Sequence, residues 1–441
     1  MAPPPPAFRD DAAAERALRE ALARMPDDVA RLNDLGNLLR ATRRAEEAVE
    51  AYRRAVFLRP EDGGLRGNLA MALTEAHRPG EAAVWIAQAQ AGHPGDARLA
   101  LIAATAEMAL ARPGPALAAY LRAQALARHA GQPATQTQAR FGEGLARLAL
   151  GDWERGWPAY EARLDTPAFA AALRPAPPGA LRWRGESLAG RRLVLTAEQG
   201  LGDVLQFARY APLARARGAW VALQAPASLA GLLAPLADRV LALDAPPPPA
   251  DFVCPLPSLP GVFATTETSV PPTPYLAVPP DREAVWRARL GPPRGLRLGL
   301  AWAGNPAHGW DTLRSLPEAA LAPLLALPGV EAHALQPDAR PADPRIAAHP
   351  DLADFADTAA LMAQMHVVVT VDTAVAHLAG ALGRPGFLLL GHAPDFRWML
   401  GRADTPWYPT LRLARQPASG DWATPLAEVA AALRAPAQAL S

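Results

Sequence analysis

A glycine-containing turn with an acidic residue is the first feature of the chain that could do chemistry. An apolar run at 193–195 leads into the turn GLGD, in which Gly200 and Gly202 precede Asp203, and a helical pattern follows. A dinucleotide-binding fingerprint would need a third glycine where Leu205 stands, and a P-loop would need a lysine, which the chain lacks. The turn therefore predicts that Asp203 projects at a helix N-terminus. It serves there either as an N-cap or as a general base, which the helix dipole keeps ionised.

A second motif, VDTAVAHLAGALG, also places polar groups at the start of a helix. A predicted strand ends at Val371, and Asp372 and Thr373 follow as capping residues. The next residues are small, which leaves the helix N-terminus open for a diphosphate on backbone N–H groups and the Thr373 hydroxyl. His377 lies one to two turns further on, where its imidazole either reaches a phosphate or packs in the core.

Both motifs fall where short strands alternate with helices. Strands are predicted at 192–196, 220–224, 239–243, 251–254, 296–302, 330–335, 367–371, 387–390 and 411–414. Helices are predicted near 203–217, 226–237, 317–327, 357–365 and 374–382. This alternation indicates parallel sheets covered by helices, and the proline-rich segment 255–293 divides the strands into two groups. We expect two doubly wound, Rossmann-like halves at 191–280 and 281–441, with ligands bound beyond the carboxyl ends of the strands.

The first third of the chain repeats with a period of 34 residues. Seven positions that hold small residues, apolar residues or proline recur 34 residues later. The first repeat has Leu35, Gly36, Leu39, Ala48, Tyr52, Ala55 and Pro60, and the second has Leu69, Ala70, Leu73, Ala82, Ile86, Ala89 and Pro94. This period resembles the tetratricopeptide repeat, a helix–turn–helix unit. We expect an all-α repeat domain over 1–164 and a linker over 165–190. Stacked repeats form a concave groove, which either binds a protein partner or only packs on the next domain.

Composition narrows the class of protein. Forty-four basic residues, all arginine, nearly balance 43 acidic residues, and no block of like charge indicates a nucleic-acid partner. A single cysteine, Cys254, excludes an internal disulfide and a cysteine-based metal cluster. The first residues do not have the pattern of a signal peptide, and no uncharged apolar stretch reaches the ~18 residues that span a bilayer. We therefore expect a cytoplasmic protein without a transmembrane segment.

The chain as a whole resembles the bacterial tetratricopeptide-repeat proteins that carry a C-terminal heptosyltransferase-like domain of glycosyltransferase family nine. The resemblance covers roughly residues 30–435. It rests on seven segments in order, GDWERGWPAYEARL, EQGLGDVLQFARY, CPLPSLP, GLAWAGNPAHGWDTLRSLP, DFADTAALMAQM, VDTAVAHLAGALG and FRWMLGRADTPWYPTLRLARQ. It implies a fold of α plus α/β class, in which a repeat superhelix precedes the paired Rossmann-like domains of the GT-B fold.

The same resemblance implies an inverting, metal-independent transfer of a sugar from a nucleotide-sugar to a protein or glycan acceptor. Asp203 is then the base, and Asp372, Thr373 and His377 bind the donor diphosphate. Heptosyltransferases often use a lysine to neutralise the phosphates, which this chain cannot do. Arg314 is the natural substitute, because a guanidinium binds phosphate through two parallel hydrogen bonds.

Two polar residues after the predicted strand 296–302 face the same cleft by topology. Asn305 and His308 could each hold the donor, although Asn305 fits a plain turn equally well. No Asp-x-Asp motif occurs, which argues against a metal-dependent transferase, so no cofactor is expected beside the donor. Two alternatives stay open. One is a repeat scaffold whose transferase domain has lost activity, and the other is an epimerase of the same fold, which would turn over without an acceptor.

Overall fold

The computed structural model describes residues 7–198, 200–305, 311–337 and 339–434 of the 441-residue chain. Contacts divide the chain into two compact units, Met1–Leu150 and Gly151–Ser441. The first unit therefore ends earlier than the repeat domain that we expected over 1–164. The reason lies in the segment that follows Leu150, which packs within the second unit.

The first unit is built from helices. Its described residues form α1 Ala7–Arg24, α2 Val29–Ala41, α3 Ala45–Leu58, α4 Gly63–Glu75, α5 Pro79–Gly92, α6 Ala97–Ala109, α7 Pro113–His129 and α8 Pro133–Ala149. An aspartate caps the first helix of three successive pairs at the repeat period: Asp28, Asp62 and Asp96 each accept a backbone N–H from three residues further on, at 3.0, 3.0 and 3.1 Å. The caps confirm the repeat that the apolar residues indicated.

The recurring residues of the repeats form the core of this unit. Tyr52, Leu69 and Leu73 are fully buried in one apolar cluster. Gly36 lets α2 approach the Tyr52 ring, and the Tyr52 hydroxyl donates to Oδ1 of Asn37 at 2.8 Å. Small and large residues thus interlock between neighbouring helices, as the repeat pattern predicted.

The second unit alternates strands and helices. Its strands are β1 Leu181–Arg182, β2 Arg192–Thr196, β3 Trp220–Gln224, β4 Arg239–Leu241, β5 Phe252–Pro255, β6 Leu296–Ala301, β7 Val330–Ala334, β8 Ile346–Ala347, β9 Val367–Val371, β10 Gly386–Leu390 and β11 Leu411–Arg415. Its helices are α9 Trp153–Tyr160, α10 Pro167–Ala172, α11 Leu201–Phe207, α12 Ala211–Ala216, α13 Ala227–Leu233, α14 Leu259–Val262, α15 Pro280–Leu290, α16 Asp311–Arg314, α17 Ala322–Leu325, α18 Phe355–Ala363, α19 Ala374–Ala381 and α20 Ala423–Arg434.

The strands form two parallel sheets, one in each predicted half. The first has the order β1-β5-β2-β3-β4 and the second β11-β10-β9-β6-β7-β8. β9 and β10 are buried along their whole length, as strands covered on both faces should be. Because every pair is parallel, the segments after β2, β9 and β10 all leave the carboxyl ends of their sheets, where ligands of such folds bind.

The segment after Leu150 explains the domain boundary. Trp157 donates its indole N–H to the carbonyl of Thr265 at 2.9 Å, and Trp153 stacks on Trp407 at 5.1 Å between ring centroids. Arg163, in a 3-10 turn after α9, is fully buried. The expected linker 165–190 also contributes structure, because β1 adds an edge strand to the first sheet.

Among the described residues, no helix combines the length and the apolar character needed to cross a bilayer.

Replacing Gly36 with alanine should destabilise the first unit. The added Cβ would lie 2.6 Å from the Cε1 and Cζ atoms of Tyr52, a fully buried ring that is anchored through its hydroxyl. We expect the free energy of unfolding to fall by about 1–3 kcal/mol, as for other overpacked sites, measured by urea denaturation.

Gly80→Ala is the matched control, since Gly80 also lies in a helix but has open space around it. Alanine favours a helix over glycine by up to ~1 kcal/mol, so this variant should be neutral or stabilised. Equal effects at the two glycines would show that helix propensity, and not the Tyr52 contact, decides the outcome.

Candidate functional site

Asp203 lies on α11, in the segment that follows β2. The helix begins at Leu201, and Gly200 occupies the N-cap position with φ −64° and ψ 167°. Asp203 is therefore the third residue of the helix. The interpretation of Asp203 as an N-cap is wrong, because the helix starts earlier than the apolar pattern indicated.

An ion pair with Arg397 holds the Asp203 carboxylate. Arg397 Nη2 donates to Oδ1 of Asp203, and the same guanidinium donates to Oδ1 of Asp395 at 2.8 Å and to Oε1 of Gln206 at 2.6 Å. The side chains of Asp203 and Arg397 are 15% and 10% exposed. Burial raises the pKa of Asp203, while Arg397 opposes the rise and Asp395 adds to it. The pKa of Asp203 therefore moves away from the ionised form that we expected the helix dipole to favour.

His377 packs directly beneath the glycine turn. A Cβ on Gly202 would lie 2.6 Å from Cδ2 of His377, so only glycine allows this approach. The imidazole Nδ1 is 2.9 Å from the Tyr408 hydroxyl, and the ring lies 5.4 Å from Trp398 between centroids. Burial lowers the pKa of His377 well below its usual value, and the nearby Arg397 adds to this effect. The contacts favour the packing role for this buried, neutral ring, and a contact with phosphate stays a prediction.

Asp372 and Thr373 connect β9 to α19. Thr373 occupies the N-cap position, but its side chain makes no capping hydrogen bond, and its Oγ1 lies 3.5 Å from Oγ1 of Thr370. Asp372 precedes the cap and is half-buried. Burial, followed by the neighbouring Asp395 carboxylate, raises the pKa of Asp372 to about 6. The second motif therefore presents a carboxyl group that titrates near neutrality beside a helix N-terminus.

Arg314 ends α16 and keeps 25% of its side chain exposed. Its Nε donates to Oδ1 of Asp311 at 3.0 Å. The loop after β6 packs on this pair, since a Cβ on Gly304 would lie 2.8 Å from Nη2 of Arg314. Asn305, the next residue, is exposed. His308 lies outside the residues that the structure describes.

Two arginines of the second half act on both titratable groups of the second motif, and the two motifs are in contact. Arg397 and Arg314 both lower the pKa of Asp372 and of His377. α11 and α19 pack together through the contact of Gly202 with His377. The structure therefore brings the glycine turn of the first half to the helix start of the second half, as their shared place beyond the strand ends predicted.

Arg397 is the functional candidate that the sequence analysis missed. It follows β10 just as Asp372 follows β9, so its place beyond a strand end was the available signal. A second missed feature lies before the turn, where Arg163 donates to both oxygens of Glu198 at 2.8 and 3.0 Å. Burial raises the pKa of Glu198 although Arg163 opposes it. This buried pair fixes the chain between β2 and α11.

Two open cavities lie away from these residues. One, of about 590 Å³, lies in the first unit between Arg59 and Asp96. The other, of about 690 Å³, lies beside Arg297 and Arg384 in the second unit. None of the described candidate residues lines either cavity. We therefore identify the candidate site from the charges and contacts of its residues and not from a cavity.

Helix pairs at the repeat period, followed by two parallel-sheet halves that meet at a Gly-Asp turn, are the architecture of a tetratricopeptide-repeat protein with a heptosyltransferase-like domain of the GT-B fold. The family "Glycosyltransferase family 9 (heptosyltransferase)" matches residues 345–409. Protein FlbA of Caulobacter vibrioides is 30% identical over 451 residues, which cover 93% of this chain and 73% of FlbA. The chain belongs to the same family as FlbA.

Solved structures show weaker likeness. The structure of the E. coli ADP-heptose lps heptosyltransferase II is 14% identical, covers 54% of this chain and 98% of its own, and has a TM-score of 0.38. MamA 41-end from Desulfovibrio magneticus RS-1 is 17% identical, covers 35% of this chain and 84% of its own, and has a TM-score of 0.31. Because these TM-scores are low, the fold is assigned from the helices and strands described above and not from these structures.

Gly202→Ala should disrupt the contact between the two motifs. The added methyl group would collide with His377, which is fixed by Tyr408 and Trp398. We expect a loss of about 1–3 kcal/mol in the free energy of unfolding, measured by chemical denaturation.

Gly200→Ala is the control within the same turn. No atom lies within 4 Å of a Cβ at Gly200, and its φ of −64° suits alanine. Because Gly200 is the N-cap of α11 and alanine caps less well than glycine, a loss of no more than about 1 kcal/mol is expected. A loss at Gly200 as large as that at Gly202 would mean that the turn, and not the His377 contact, requires glycine.

Proposed function

We propose that the second unit transfers a sugar, with inversion, from a nucleotide-sugar donor to a hydroxyl or amide of a protein or glycan acceptor. The observation that carries the proposal is the partly buried Asp203 carboxylate, which lies beyond a strand end of the first sheet and contacts a residue that follows a strand of the second. The family 9 match supports glycosyl transfer in general. The donor, the acceptor and the stereochemistry belong to this proposal.

Asp203 is proposed as the general base. The acceptor attacks the anomeric carbon from the side opposite the leaving nucleoside diphosphate, and its proton passes to the Asp203 carboxylate. A base works best when its pKa lies near the working pH, and burial moves Asp203 in that direction. The 15% exposure of the side chain leaves it within reach of an acceptor.

The second half is proposed to stabilise the leaving group. Negative charge develops on the departing diphosphate, and preorganised donors stabilise such charge without moving. Arg314, Thr373 and the N-terminus of α19 are the candidates, together with Asn305 after β6. His308, a further candidate from the sequence, lies outside the described residues. These groups would replace the metal ion of other transferases, so we propose a metal-independent reaction.

The helical first unit is proposed to recruit the acceptor. Stacked repeats present a continuous surface that suits a polypeptide or an extended glycan better than a small molecule. Two alternatives are left for experiment. One is a scaffold whose transferase domain binds no donor, and the other is an epimerase, which would turn over without an acceptor.

Asp203→Asn should abolish transfer and leave nucleotide binding nearly unchanged. The amide keeps the shape of the side chain but cannot accept the proton, so turnover should fall by about 10²–10⁴-fold. Turnover of a radiolabelled nucleotide-sugar measures the first effect, and calorimetry with the nucleoside diphosphate measures the second. Turnover near the wild-type rate would remove Asp203 from catalysis.

Arg314→Ala should weaken binding of the nucleoside diphosphate by ~1.5–3 kcal/mol, the scale of a hydrogen bond to a charged group. Calorimetry against UDP, GDP and ADP, with EDTA present, identifies the nucleotide and tests metal independence together.

Arg345→Ala is the matched control, because Arg345 also pairs with an aspartate close in sequence, Asp343, in the same half of the unit. It should bind as the wild type does. If neither the wild type nor any variant binds a nucleotide, the scaffold alternative replaces the transferase.

A further inference from the structure

We propose that Arg397 is a positioning residue that orients the Asp203 carboxylate, from the opposite half of the second unit, for its role as the base. This inference rests on the proposed function. It assigns a task to a residue outside the two motifs and makes the base dependent on contact between the halves.

The Arg397 guanidinium contacts two side chains that lie on one face of α11. Asp203 and Gln206 lie three residues apart, so their side chains project from the same side of the helix. Arg397 reaches Asp203 through Nη2 and Gln206 through Nε, and Gln206 is fully buried. The contact with Gln206 holds the guanidinium against α11, and the guanidinium held in this way fixes Oδ1 of Asp203 through one charged hydrogen bond.

Asp395 holds the other side of the same guanidinium. Its Oδ1 accepts from Nη1 of Arg397 at 2.8 Å and from the Arg397 backbone N–H at 3.0 Å. The guanidinium also lies 4.6 Å from the ring centroid of Phe396. Arg397 is therefore fixed by its own loop before it contacts Asp203, as a positioning group should be.

The charges in direct contact with Arg397 favour uptake of a proton by Asp203. One guanidinium serves two carboxylates, Asp203 and Asp395, which leaves a net negative charge at this point. Charged and titratable groups come from every neighbouring element: Arg397 and Asp395 from the loop after β10, Tyr160 and Arg163 from α9 and the turn after it, Glu198 from the loop after β2, and His377 from α19. Arg397 and Asp395 act on the Asp203 pKa in opposite directions.

A purely structural arginine would predict only a loss of stability on substitution. A positioning arginine predicts a shift in the pH dependence of turnover, and its sign follows from charge. Removing Arg397 takes a positive charge from beside the carboxylate, which raises the Asp203 pKa. Removing the Asp395 charge takes away a repelling carboxylate, which lowers it.

The test is the acid limb of kcat/KM against pH, which reports the base in the free enzyme. The full-length protein is used with the nucleotide-sugar whose nucleotide the calorimetric panel selects. Arg397→Gln should move the limb to higher pH by about 1–3 units and lower kcat more than it changes KM. Asp395→Asn should move the limb to lower pH. Arg397→Lys keeps the positive charge but lacks the planar guanidinium with its several donors. The acid limb of this variant should therefore stay near the wild-type pH, while its kcat should be reduced by about 10–100-fold.

Asp395→Asn also protects the test against misfolding of the Arg397 variants, because the Asp395 side chain is 38% exposed and asparagine can keep its backbone hydrogen bond. Asp421→Asn is the control, since Asp421 likewise accepts a backbone N–H at 3.1 Å in the same half. Its limb should not move.

The outcomes distinguish a failure of this inference from a failure of the proposed function. If Asp203→Asn keeps full turnover, the proposed base is wrong and the inference falls with it. If Asp203→Asn is inactive while the limbs of Arg397→Gln and Asp395→Asn stay at the wild-type pH, the base stands and the role of Arg397 is overturned. Opposite shifts of the two limbs support the role.

Discussion

Arginines buried between the two sheets of the second unit impose the constraint on which the site depends. Arg397 and Arg209 are 8% and 2% exposed, and a guanidinium withdrawn from water needs partners for its donors. Arg397 of the second half finds them on Asp203 of the first, and Arg209 of the first half donates to the carbonyl of Trp407 in the second at 3.1 Å. Because each half supplies an arginine to the other, separating the sheets here would break hydrogen bonds of buried guanidinium groups on both sides and leave Asp203 without its counter-ion.

Much of the fold could be predicted from the sequence, because its signals are local and repeated. Strands such as β2 and β9 are continuous apolar runs, and the repeat period fixed the helix pairs. The two-residue strands β1 and β8 were not predicted, since so short a segment carries no periodicity. α15 was also missed, because the proline-rich composition around it indicated a break between domains when proline in fact opens the helix.

The site was predictable only in part. The glycine turn and the Asp-Thr motif could be located because each follows a strand, but the side chains that surround them come from distant points of the chain. Arg397 stands 194 residues from Asp203, so no local pattern links them. The N-cap interpretation of Asp203 failed because α11 begins at Leu201 and Gly200 occupies the N-cap position, slightly before the start near 203 that the apolar pattern indicated. Tertiary contacts, and not local propensity, decide which groups in such a site are caps, packing residues or bases.

The early end of the first unit bears on how the protein can be divided. Trp157 and Arg163 belong by sequence to the end of the repeat domain expected over 1–164, yet their hydrogen bonds go to Thr265 and Glu198. A shortened chain that starts at residue 165, where the repeat pattern fades, would expose the surfaces that these two side chains cover and strip Glu198 of its counter-ion. A chain that starts at Gly151 keeps both side chains and begins where the second compact unit begins. We therefore expect this truncated chain to be the one suited to expression and crystallisation without the repeats.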